Sequence, residues 1–283
     1  MKIYSLILVF FFNFLSCQYI DIESLKSTYL FKKYTLNTKG LYNFESQIEL
    51  YNFFIDPNKI LLISILPDIR NNENWKKSKQ KPDKINYLEF EDIFKNDYLD
   101  DNKKKLVYNT IYKTENGFHY SSYVSLIELF TLENSNKIGV ININQNKYSI
   151  KDSYSLYKKR IKFEKSYYPF LLDPRNIDLM GVNITKNEDR QYLSRKLLIK
   201  NKKAYQFWTF KDWGIIDGYN YQRGIDRFIY IPKLGVVGGS YDFYFAFKPR
   251  TINKTSIAIP VSEEKIWKNI LNEKVIIAKE LRY

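Results

Sequence analysis

The chain has 283 residues, 45% of them hydrophobic and 17% aromatic, enough to bury a sizeable core, which excludes an intrinsically disordered chain. Its formal net charge of +14 comes from lysine, which outnumbers arginine about four to one and is spread along every segment. That is the pattern of a solvated surface, not of a phosphate-reading nucleic-acid site, so no nucleic-acid partner is expected. One cysteine and one histidine leave no material for a disulfide framework or a multi-histidine zinc centre.

The chain opens with Met1-Lys2 and runs through apolar residues from Ile3 to Leu15, interrupted by Asn13, to Ser16-Cys17. A charged start before a short apolar run has the form of a secretory signal, and the run falls short of the roughly 20 residues that a membrane-spanning helix needs. No alanine precedes Ala204, so an Ala-x-Ala cleavage site is missing. Phe14-Leu15-Ser16-Cys17 instead resembles the lipobox of bacterial lipoproteins, with Phe14 where leucine is commonest and Leu15 where a small residue is usual. The resemblance covers residues 1–18 and implies a signal peptide over 1–16, cleavage before Cys17, and acylation of Cys17. It places the mature protein in the cell envelope as an outer-membrane lipoprotein, held by palmitate-type chains. Several acyl chains give stable anchorage where one is marginal, and a lipidated Cys17 would leave the mature chain without a thiol.

From residue 18 to 40 the sequence predicts a short tether and a first ordered element. Phe44, Ile48 and Tyr51 recur at helical spacing and predict a short helix ending before Asp56-Pro57. Ile60–Leu66 is an apolar, β-branched run closed by Pro67, the mark of a buried strand. Residues 68–86 are charged and broken by Pro82, which predicts an exposed loop, with Trp75 either tucked back on the domain or serving as an interaction anchor.

Alternation begins at Leu106. A turn at Glu115-Asn116-Gly117 predicts a β-hairpin, because Asn-Gly readily takes positive φ. Reversals at Asn134-Ser135-Asn136 and Gln145-Asn146-Lys147 extend it to a meander of about four strands, the last over Tyr148–Asp152, with a charged helix over 153–164. A second alternating block runs from Lys196 through a turn at Asn201-Lys202-Lys203 to Phe210, then Arg227–Ile231 and on to Phe247, with Tyr241, Phe243, Phe245 and Phe247 on one strand face. Ser262 before Glu263-Glu264 reads as an N-cap, and Ile266, Trp267, Ile270 and Leu271 form the stripe of a C-terminal helix. The segment after it continues the helix or forms a last strand. The expected fold is therefore α+β, predominantly antiparallel β-sheet in two meander blocks, curved or closing into an open barrel. Residues 17–283 are expected as one domain, with a boundary near 174–190 as the alternative.

The catalytic motifs are sparse. His119 lies on a predicted strand and reads as structural. Ser262 to Lys265 and Ser155 to Lys158 match a Ser-x-x-Lys spacing that lysine-rich sequence produces by chance, and no Lys-Thr-Gly accompanies them. Gly238-Gly239-Ser240 reads as a bulge or bend in a strand. No nucleotide-binding loop or nucleophile elbow occurs, so no cofactor and no metal are expected. The densest polar cluster holds Asp212, Trp213, Asp217, Tyr219, Tyr221, Arg223, Asp226 and Arg227 on a glycine-bearing connection. Its carboxylates, guanidiniums and aromatics suit a polar ligand or partner, or they pair with each other structurally. The expected role is a non-catalytic binding or structural one, toward an envelope protein or an anionic lipid or lipopolysaccharide surface. A carrier of an apolar ligand and a carboxylate hydrolase are the alternatives.

Overall fold

The computed structural model describes residues 18–78, 86–87, 106–122, 124–132, 140–152, 190–210, 224–247 and 261–282. Among these residues two sheets carry the fold. The larger one is formed by β1 (Gln18–Asp21), β2 (Leu30–Asn37), β3 (Gln47–Asp56), β4 (Lys59–Leu66), β5 (Trp75–Ser78), β6 (Asn86–Tyr87), β7 (Leu106–Thr114), β8 (Gly117–Ser121), β9 (Val124–Leu132) and β10 (Val140–Ile141). Its main path runs β2-β3-β4-β9-β7-β1-β6. The smaller sheet has the order β11 (Arg190–Ile199), β12 (Lys202–Phe210), β13 (Arg227–Ile231), β14 (Gly235–Ser240) and β15 (Ile276–Ile277), and all its pairings are antiparallel. Among the described residues helices are few and short: α1 (Ile22–Thr28), α2 (Lys39–Tyr42), α3 (Asp242–Phe247) and α4 (Glu263–Leu271). The result is a β-rich α+β fold, and neither sheet closes into a barrel among the described residues.

The larger sheet is apolar on both faces, which explains the first departure from the sequence reading. Residues 47–56 are strand β3, not a helix. Ile48 and Leu50 point into the core shared with the smaller sheet, while Tyr51 and Phe53 join a second cluster on the opposite face with Ile20, Ile22 and Leu25. When both faces are buried, period-2 alternation vanishes and a chance helical spacing is all that remains. Strand β4 divides in the same way, Ile60 and Leu62 to one cluster and Leu61 and Ile63 to the other.

Strand β1 leaves no room for a tether. Tyr19, Ile20 and Asp21 pair in parallel with Asn109, Thr110 and Ile111 of β7, and Gln18 and Tyr19 pair in parallel with β6. Asp21 then caps α1, its carboxylate accepting from the Glu23 amide at 2.9 Å.

Part of the expected loop 68–86 is also ordered. Strand β5 pairs with β8, and Trp75 lies edge-on to Tyr112 with ring centroids 4.8 Å apart. The hairpin at Glu115-Asn116 forms as expected, with Gly117 at φ 119°. The meander does not continue from it: β10 pairs with β9 in parallel, and Tyr148–Asp152 is no strand. The Tyr148 amide instead donates to the Leu193 carbonyl at 2.8 Å, and a helical turn opens at Ile150. The predicted helix over 153–164 and the reversal at 134–136 lie outside the described residues.

In the smaller sheet the β11-β12 turn falls at Lys200-Asn201, both at positive φ, one residue earlier than the sequence suggests. Residues 242–247 form helix α3 where alternation predicts strand. Aromatics at nearly every position of 241–247 carry no usable period, and tertiary bonds to Asp242 decide the outcome. The bulge expected at the glycine pair is present, since Ile229 pairs with Gly238 but Tyr230 with Val236. A Cβ on Gly238 would stand 2.4 Å from the Ile276 carbonyl oxygen, so glycine lets β15 approach. Helix α4 starts at the expected cap, the Lys265 amide donating to Ser262 Oγ at 3.3 Å, and the segment after it supplies β15.

The two sheets share one core. Phe130 of the larger sheet meets Phe228 of the smaller at 5.1 Å between centroids, and Phe207 stacks on Phe228 at 5.3 Å. Tyr42 stacks on Phe245 of α3 at 4.1 Å.

Candidate functional site

Asp212, Trp213, Asp217, Tyr219, Tyr221, Arg223 and Cys17 lie outside the described residues. The polar connection rejoins the described chain at Gly224, which has φ +73° and lies so close to Glu128 that a Cβ would stand 2.4 Å from its Oε1. The next amide, Ile225 N–H, donates to Glu128 Oε2 at 3.0 Å. Asp226 and Arg227 follow, and both are buried; Arg227 is only 1% exposed. Of the predicted surface cluster, these two residues belong to the interior.

There they build an ionic network across the sheet interface. Arg227 pairs through Nη1 with Asp242 Oδ2, and its Nε donates to the Lys274 carbonyl at 3.1 Å. The other oxygen of Asp242 accepts from the Tyr42 hydroxyl at 3.1 Å. That hydroxyl accepts in turn from the Tyr241 amide at 2.6 Å. Asp226 accepts from the Asp242 amide and so caps α3 from outside the helix. Tyr241 donates its own hydroxyl to Ser64 Oγ on β4. Glu128, Asp226 and Asp242 are all buried and each accepts from a backbone or side-chain donor, which is how interior charges are retained.

Electrostatics fit this bonding. Burial disfavours the charged Arg227, but Asp242, with Tyr42 and Asp226, outweighs it and the guanidinium stays above its ordinary range. Burial, reinforced by Asp242, pushes the Tyr42 phenol well up; burial and Glu128 do the same for Tyr241. Tyr34 and Tyr230 are pushed up to about 12, chiefly by burial, with Glu280 and Tyr205 as the respective charged neighbours. A phenol whose folded pKa exceeds the unfolded value of 10 stabilises the fold fully below that value. The stability is lost as pH rises from about 10 toward 12. In a spectrophotometric alkaline titration, these tyrosines are therefore expected to ionise together with loss of the folded near-ultraviolet dichroism, after the exposed phenols. Smooth ionisation of all tyrosines near pH 10 with the fold intact would contradict the assignment.

Of the remaining motifs, Ser155 to Lys158 lies outside the described residues, while His119 and Ser262 make structural contacts. His119 stacks on Tyr112 with centroids 4.7 Å apart and planes at 4°. Ser262 caps α4, and Lys265 Nζ is bonded to Asn43 Oδ1, so the Ser-x-x-Lys spacing joins no nucleophile to a base. The described residues contain no group of three or more His, Cys, Asp or Glu side chains able to hold a metal ion. Sequence reasoning missed Tyr42, Glu128 and Asp242. Glu128 sits in an apolar strand, a buried-charge signal that could have flagged it, whereas nothing local marks Tyr42. Comparisons with protein-family models, with curated proteins and with solved structures return no match.

Proposed function

We propose that the chain is a lipid-anchored cell-envelope protein whose β-rich domain has a non-catalytic binding role toward a protein or an anionic surface. The observation that carries the reading is the lipobox-like Phe14-Leu15-Ser16-Cys17, which closes the apolar run begun at Ile3 and stands directly before the first described residue, Gln18. The described part of the fold begins one residue after the position that acylation would take. It would also sit close against the bilayer, where a positively charged surface gains about 1 kcal/mol per lysine near anionic lipid. The non-catalytic part is supported by Asp226, Arg227 and Asp242, which are buried and bonded to one another and to Tyr42.

Expression with radiolabelled palmitate tests the anchor. The wild-type chain is expected to incorporate label and to enter the detergent phase, while Cys17→Ala remains unlabelled and loses membrane association. An unlabelled wild-type chain, or a Cys17→Ala variant that fractionates identically, would overturn the reading.

A further inference from the structure

Between α2 and the segment that follows α4 lies an open groove of about 480 Å³, within the size range of small-molecule sites. Lys39, Lys274 and Arg282 line it, with Gly40, Leu41 and Ile276, and among the described residues no carboxylate side chain belongs to its lining. Lys39 has a partner, Glu45 at 3.0 Å, but both side chains are about two-thirds exposed, so that pair is weak and easily exchanged. Arg282 uses Nε to donate to the Ile277 carbonyl at 2.9 Å, which orients the guanidinium and leaves its terminal nitrogens for another acceptor.

The groove is held in shape from beneath. One wall is fixed where Asn269 Nδ2 donates to the Leu41 carbonyl at 3.0 Å and where Tyr42 joins Asp242. The other wall is fixed by Arg227 Nε on the Lys274 carbonyl, by Glu273, whose carboxylate takes the Ile150 amide and Arg195, and by Ile276 pairing with Gly239. Both walls thus hang on bonds from the buried framework, so the backbone that carries the three cations needs little reorganisation to meet a ligand. A Cβ built on Gly40 meets nothing within 4 Å, so the space beside it is free.

We propose that this groove binds a phosphate-bearing head group, with Arg282 taking two phosphate oxygens and Lys39 and Lys274 supplying point charges. The phosphate can belong to a soluble phosphomonoester or to a lipid head group. The inference is independent of acylation at Cys17, so failure of either leaves the other standing.

The full chain in zwitterionic detergent is titrated by calorimetry with glycerol 3-phosphate and, separately, with a short-chain phosphatidic acid. Saturable binding of either probe is expected, weakened about tenfold or more in Arg282→Gln and in Lys274→Gln. Gly40→Trp, which fills the groove without removing a charge, is expected to abolish binding while circular dichroism stays unchanged. Binding of the lipid alone identifies a head-group site, and equal binding of both identifies the phosphate as the whole determinant. The proposal is overturned if neither probe binds the wild-type chain. It is overturned equally if Lys196→Gln, an exposed lysine on β11, weakens binding as much as Arg282→Gln, since attraction would then be diffuse.

Discussion

Replacing Arg227 by Leu is expected to lower the unfolding free energy by about 3–5 kcal/mol, the cost of leaving a buried charge without its partner. Asp242 would keep the Tyr42 hydroxyl and lose the guanidinium, with Asp226 and Glu128 buried in the same interface. The Lys274 carbonyl would lose its donor as well. Urea denaturation followed by tryptophan fluorescence measures the change. The second half of the test is the double variant Arg227→Leu/Asp242→Leu, which removes both charges and is expected to recover a substantial part of the loss. A single variant as stable as the wild type, or a double variant whose losses merely add, would show that the pair does not act as a unit.

Asn52→Leu is expected to cost about 2–4 kcal/mol, because two buried backbone groups lose their partners at once. Asn52 lies on β3, fully buried, and its amide behaves like a peptide unit from an adjoining strand. Nδ2 donates to the Val236 carbonyl at 2.9 Å and Oδ1 accepts from the Val236 amide at 2.7 Å. The bulge in β14 presents both groups of Val236 toward the other sheet, and Gly235 gives the amide room, since a Cβ there would stand 2.4 Å from Asn52 Oδ1. Leucine has a similar volume and no polar atom, so the measured loss reports the hydrogen bonds and not a cavity. The same urea assay decides it, and an unchanged midpoint and slope would refute the role.

These two residues also show where sequence reasoning stops. Strands with a local signature were legible: Ile60–Leu66 through its apolar run, the hairpin through Asn116-Gly117, α4 through the Ser262 cap. Elements specified by partners far along the chain were not. β3 and α3 have apolar residues on both sides, so neither period 2 nor period 3.6 stands out. The parallel seat of β1 depends on β7, about ninety residues later, and no local pattern announces it. The polar character of Asp226-Arg227 was plain, but their burial was not, because Asp242, Tyr42 and Lys274 come from three other parts of the chain. The groove was invisible for the same reason: Lys39, Lys274 and Arg282 are unremarkable among so many lysines until α2 and the C-terminal segment come together.

The bonds that tie the two sheets have a kinetic consequence. Asn52 and Val236 are 184 residues apart, Tyr241 and Ser64 177, and Tyr42 and Asp242 200. Contacts of such separation close large loops and form slowly. Until residue 242 or so has been made, Asn52, Ser64 and Tyr42 lack the distant partners that these bonds give them. The larger sheet is thus a template that cannot lock early. A chain built this way stays pliable until almost its whole length is available, and truncation before α3 should leave it trapped short of its native state rather than folded as a smaller protein.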